Sequence, residues 1–159
     1  MITLNGGTLN ATLGTYNFGS VNSNGASTIN NVFNNNGTVG VISGVLTLSG
    51  GGTGSGAINL VSTGASVTFS GGTLNQTGAT AITNTGGGTV TVSGGTVNLA
   101  GSVTMPILAM TGGTLNLTNP AAVSISSLAF SNSSMLSTAG ALNIGTMTVS
   151  GNGISTLTG

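Results

Sequence analysis

The sequence predicts an all-β fold: a single-domain parallel β-solenoid of the right-handed β-helix kind, with three short strands per coil of about 20 residues. Three observations predict it. A short alternating motif returns in phase, with steps of 21, 23, 18, 20 and 19 residues from Leu46 onward. Gly-Gly pairs follow the motif at matching places. None of the 159 residues is Lys, Arg, Asp, Glu, His or Cys, so no ion pair or disulfide holds the chain together. Backbone ladders and stacked neutral side chains are what remain.

The first strand of each coil is the motif itself: apolar, Thr or Ala, apolar, then a small polar residue. It reads Ile2-Thr3-Leu4-Asn5, Leu46-Thr47-Leu48-Ser49, Val67-Thr68-Phe69-Ser70 and Val90-Thr91-Val92-Ser93. It continues as Leu108-Ala109-Met110-Thr111, Leu128-Ala129-Phe130-Ser131 and Met147-Thr148-Val149-Ser150. Alternation of period two marks a strand with one buried face. Stacking in phase then puts Ile2, Leu46, Val67, Val90, Leu108, Leu128 and Met147 in one inner row. Leu4, Leu48, Phe69, Val92, Met110, Phe130 and Val149 fill the next.

A corner follows. It is Gly6-Gly7, Gly71-Gly72, Gly94-Gly95 or Gly112-Gly113, and glycine tolerates the positive φ of a tight turn. The second strand comes next, as in Thr73-Leu74-Asn75, Thr96-Val97-Asn98-Leu99 and Thr114-Leu115-Asn116-Leu117. Its inner row is expected to hold Leu9, Leu74, Val97, Leu115, Met135 and Ile154. The third strand carries Ile58/Leu60, Val103/Met105, Val123/Ile125 or Leu142/Ile144. Pro106 and Pro120 fall between strands, where a missing N–H does least harm. Uneven coil lengths favour the right-handed solenoid over the left-handed one with its strict hexapeptides. Residues 46–159 read as regular coils. Residues 1–45 belong to the same domain but are degenerate: the gap from Ile2 to Leu46 fits two coils, and the sequence does not phase the stretch from Tyr16 to Phe33.

Composition excludes most chemistry. General acid–base catalysis needs a group titrating near working pH, and Tyr16 is the only titratable side chain. Ser and Thr nucleophiles need an adjacent base, so the chain reads as no enzyme. Metal sites need His, Cys or carboxylate ligands, and no cofactor is expected. Nucleic-acid binding needs Lys or Arg against phosphate. No apolar run approaches the about 18 residues of a membrane helix, and the scattered aromatics make no girdle for a membrane barrel. The opening residues carry no basic and apolar regions of a signal peptide. Five N-x-S/T sequons, at Asn10, Asn36, Asn75, Asn116 and Asn132, match what this composition gives by chance.

The units Ser70-Gly71-Gly72-Thr73-Leu74-Asn75, Ser93-Gly94-Gly95-Thr96-Val97-Asn98-Leu99 and Thr111-Gly112-Gly113-Thr114-Leu115-Asn116-Leu117 resemble the Gly-Gly-Thr-Leu repeats of bacterial autotransporter passenger domains and haemagglutinin-like adhesins. The resemblance covers Leu46 onward and Ile2–Asn10. It implies a secreted protein, extracellular or at the cell surface, acting as a structural element of a fibre or adhesin.

Three sets of residues are candidates for function. Zero charge removes the repulsion that keeps chains apart, so self-association by head-to-tail coil stacking is expected. Ile2 and Leu4 would lie at one end, and Met147, Val149, Ile154 and Leu157 at the other. Asn75, Asn98 and Asn116 occupy equivalent outward positions and read as an amide ladder. Thr47, Thr68 and Thr91 form an outward hydroxyl strip with Ser49, Ser70 and Ser93, broken by Ala109 and Ala129. That strip resembles the ice-facing surface of insect-type antifreeze proteins. A module binding ice or glycan through one of these strips is therefore the alternative to a purely structural role.

Overall fold

The computed structural model describes residues 1–10, 14–17, 19–119 and 121–159. Among these residues every regular element is a strand, and every strand pairing is parallel. The chain is a β-solenoid of about eight coils that crosses three faces in a constant order. β1 (Ile2–Leu4) lies on the first face and β2 (Gly7–Leu9) on the second. The next coil has β3 (Thr15–Asn17) on the third face, β4 (Ser20–Asn24) on the first and β5 (Ser27–Ile29) on the second. β6 (Phe33–Asn35) then leads to β7 (Thr38–Leu48), which runs from the first face onto the second without a break.

The regular coils follow in the same order: third, first, second face. They are β8 (Gly52–Gly54), β9 (Ala57–Leu60) and β10 (Ala65–Phe69), then β11 (Thr73–Gln76), β12 (Thr80–Asn84) and β13 (Thr89–Val92). β14 (Thr96–Leu99), β15 (Ser102–Val103) and β16 (Ile107–Met110) come next. In the last two coils the first and second faces merge into single strands: β17 (Thr114–Leu117) with β18 (Val123–Ser131), and β19 (Met135–Thr138) with β20 (Leu142–Ser150). β21 (Thr156–Thr158) returns to the third face.

The core is a stack of rows. On the second face Leu46, Val67, Val90, Leu108, Leu128 and Met147 are in register, as are Leu48, Phe69, Val92, Met110, Phe130 and Val149. Phe69 and Phe130 point inward and are 2% exposed. Burying such a side chain contributes about 1.5–3 kcal/mol. The alternation in the sequence thus becomes alternation across a narrow triangular interior, where each residue packs on its counterpart one coil away.

Glycine sets the corner between the second and third faces. Gly72, Gly95 and Gly113 all have φ between 66° and 72°. A Cβ on Gly95 would run into the backbone of Gly71 and Gly72 one coil below. The corner is thus closed to other residues by sterics from the neighbouring coil as well as by its own φ.

Four expectations are corrected. Ile2 and Leu4 do not stack with Leu46 and Leu48. Ile2 pairs with Val21 and Leu4 with Ser23 on the first face, and Val21 continues through Val39 and Ile58. Leu9 stacks on Ile29 and then Leu48, not on Leu74. The two Gly-Gly corners at Gly6 and Gly71 look alike in sequence but sit at different edges of the triangle, so the motif at Ile2 is one face out of phase. Met135 and Ile154 do not join the inner row either. Leu115 is followed there by Leu136 and Leu157, and Ile154 is 85% exposed. The cause is corner length. Met110 to Leu115 uses Thr111-Gly112-Gly113-Thr114, whereas Phe130 to Leu136 needs one residue more, with Asn132 and Ser133 both at φ 56°.

The degenerate stretch is phased by the ladder. Ser27 takes the slot of Leu46, and Ile29 that of Leu48. Pro106 lies between β15 and β16 as expected. Pro120 and Phe18 lie outside the described residues.

Candidate functional sites on the outer faces and open edges

Side chains on the outer faces point away from the core in columns, one residue per coil. The strand ladders fix these columns, so their chemistry follows from register. Two of them were legible in the sequence. Asn75, Asn98 and Asn116 are in register. Asn98 Nδ2 donates to Asn75 Oδ1 at 2.6 Å, and Asn116 Nδ2 donates to Asn98 Oδ1 at 2.7 Å. These amides satisfy one another. The column stabilises the third face, with each bond using one N–H of one amide and one lone pair of the next.

The threonine column is different. Thr47, Thr68 and Thr91 are in register on the second face. The ladder extends the column to Thr28 and Thr8. Ala109 and Ala129 then follow, and Thr148 comes last. On this face the hydrogen bonds among described residues are made by the flanking serines. Ser49 Oγ donates to the Ile29 carbonyl at 3.3 Å and Ser93 Oγ to the Phe69 carbonyl at 3.3 Å. The five threonine hydroxyls from Thr8 to Thr91 take no part in such bonds. Thr8 and Thr28 escaped sequence reading because their coils were out of phase. The signal was there: Gly7-Thr8-Leu9 and Ser27-Thr28-Ile29 carry a Thr before the apolar residue, at the coil spacing from Thr47.

The open edges form the third candidate. Ile2 and Leu4 lie on the edge strand β1, with Leu4 packed partly against the core. At the other edge Met147 is 53% exposed, Val149 60% and Leu157 42%. All three prolong inner rows, because they pair with Leu128, Phe130 and Leu136. Ile154 stands apart from them. Leu142 and Ile144, absent from the expected set, belong to this edge as well. With Thr138, Ala141, Leu157 and Thr158 they line an open, mostly apolar notch of about 280 Å³.

No family model, no curated protein and no solved structure matches the chain.

Proposed function

We propose that this chain is a non-catalytic structural solenoid, a building block of an extracellular bacterial fibre or surface adhesin that extends by stacking one coil on another. The observation that carries the reading is the edge formed by β20 and β21. There Met147, Val149 and Leu157 prolong the inner rows in register with Leu128, Phe130 and Leu136, and present apolar side chains that are about half exposed. An unpaired sheet edge with apolar side chains is a template for another strand. Natural proteins blunt such edges with Lys or other charges, and this chain has none.

The occupant is a second copy. The edge at β1 and β2 offers the matching surface: Gly7 and Leu9 belong to the rows that reach Met147 and Val149 on the second face. β21 lies on the third face, and β1 lies on the first, which follows it in the coil order. Docking in that phase continues the ladder at about 4.8 Å and places Ile2 and Leu4 over Leu142 and Ile144. Such contact is heterologous and grows without closing. The placement outside the cell rests on the Gly-Gly-Thr-Leu repeats alone.

Sedimentation velocity over a concentration series, with electron microscopy of the products, tests this. The wild-type chain is expected to form filaments. Leu4→Lys or Val149→Lys should stop growth, because an unpaired charge buried at the junction is costly. A wild-type chain that stays monomeric at high concentration, or filaments from both Lys variants, overturns the reading.

A further inference from the structure

We propose that the second face binds ice, through the column Thr8, Thr28, Thr47, Thr68 and Thr91. This stands apart from end-to-end stacking, since all five residues lie within one copy.

Register supplies the first argument. Five consecutive coils place the same residue type at the same position, and none of the four pairings between them contains a bulge. On the first face, by contrast, the register shifts between Ser23 and Asn24 and between Thr80 and Ile82. The second face therefore repeats its hydroxyls at the strand separation, about 4.8 Å. The five span roughly 19 Å along the solenoid on that spacing.

Hydrogen-bond accounting supplies the second. The asparagines of the third face are bonded to one another, and Ser49 and Ser93 are tied to carbonyls of the coil below. None of the five threonine hydroxyls is bonded within the chain among the described residues, and the other unbonded register column, Thr73, Thr96 and Thr114 on the third face, has only three members. Their β-branched side chains have few rotamers, and four of the five are half-buried between neighbours. Little conformational freedom is then lost on contact, the cost that preorganisation removes.

The nature of the partner follows from what one hydroxyl can gain. Exchanging a bond to liquid water for a bond to a ligand nets only about 0.5–1.5 kcal/mol. A partner profits from this column only by meeting many of its members at once, as a multivalent ligand does. It must therefore be uncharged, rich in hydrogen-bonding groups, and periodic along a straight line. A crystal of water has these properties. The face opposes it with no charge, and its outward positions beside the column are Val45, Ser66, Thr89 and Ile107 on one flank. No aromatic ring stands there for a sugar to stack on. Ala109 and Ala129 end the column, so the site is confined to the first five coils.

Thermal hysteresis and uptake into a slowly grown ice hemisphere test the proposal. Wild type should show hysteresis and enter the ice. The double variant Thr47→Tyr/Thr68→Tyr should lose both while keeping its far-ultraviolet circular dichroism spectrum. Thr83→Tyr, on the first face, should keep both. If the double variant does not fold, Thr68→Lys serves as the disruption, with the same loss expected. Exclusion of wild type from ice without hysteresis overturns the proposal, as does full activity in the folded disruptive variant or equal loss in Thr83→Tyr. Exclusion from ice together with sedimentation on microcrystalline cellulose would assign the column to a polysaccharide instead, and also overturns it.

Discussion

The interior of residues 15–54 and that of residues 57–138 solve one packing problem with different chemistry. The later coils fill the triangle mainly with Val, Leu, Ile, Met and Phe, and their buried polar residues, Gln76, Asn84, Ser134 and Thr138, are spread over twice the length of chain. The earlier coils bury Thr15, Asn17, Ser23, Ser27 and Asn35 among Val21, Ile29, Phe33, Val39, Val41, Leu46 and Leu48. Two of these five polar residues are well served. Asn17 Nδ2 donates to Asn35 Oδ1 at 2.8 Å and to the Thr38 carbonyl at 3.1 Å, and Asn35 Nδ2 donates to the Ala57 carbonyl at 3.2 Å. Thr15 Oγ1, Ser23 Oγ and Ser27 Oγ, all in the second coil, have no hydrogen-bond partner among the described residues. A solenoid thus tolerates a polar interior where stacking in register lets one coil satisfy the next. Stability in such a chain is a sum over coils and their interfaces, so the second coil is expected to open before the later ones.

The largest test of this difference is Phe69→Ala, in the apolar part. It should cost about 3–5 kcal/mol, the usual loss for a buried aromatic, read from a denaturant midpoint. A cost near zero would mean that the later coils are no better packed than the earlier ones. Asn35→Ala comes next. It removes the acceptor of Asn17 and a donor to Ala57, and should cost about 1–3 kcal/mol by stranding a buried amide. Hydrogen exchange should show the loss around Asn17 and Thr38 rather than in β16 or β18. Ser27→Ala should act with the opposite sign. It deletes an unpartnered buried hydroxyl, and a gain of about 1 kcal/mol is expected. A destabilised Ser27→Ala would show that the hydroxyl is bonded in solution. The smallest effect belongs to pH. Stability varies with pH only through groups whose proton binding differs between folded and unfolded chains, and no carboxylate, imidazole, lysine or arginine side chain is present. Melting midpoints at about pH 4 and pH 8 should coincide for both regions apart from terminal effects.

Legibility followed the same division. From Leu46 to Val149 the motif rows could be written down directly, because an apolar residue occupies every motif slot and the corners after Leu48, Phe69, Val92 and Met110 hold Gly-Gly. Leu48, Phe69, Val92, Met110, Phe130 and Val149 stack as the alternation implies. Before Leu46 Thr, Ser and Asn share the slots with Val21, Ile29, Phe33, Val39 and Val41, and period-two alternation of hydrophobicity fades although the strands persist. Ile2-Thr3-Leu4 imitates Leu46-Thr47-Leu48 perfectly and still lies on another face. A three-residue motif carries no record of which corner precedes it.

The sequence alone determined the fold class, the strands of the regular coils, the inward Phe69 and Phe130, and the outward Asn and Thr columns. These depend on local alternation and on a period that recurs along the chain. The tertiary structure decided the phase of the first coils, the exchange of Met135 and Ile154 for Leu136 and Leu157, and the reach of the threonine column back to Thr8. It also decided which hydroxyls are bonded and which are left over. The physical reason is corner length. One extra residue in a turn moves a strand's inward set to its outward face, and only the backbone ladder to the neighbouring coil fixes which residue that is.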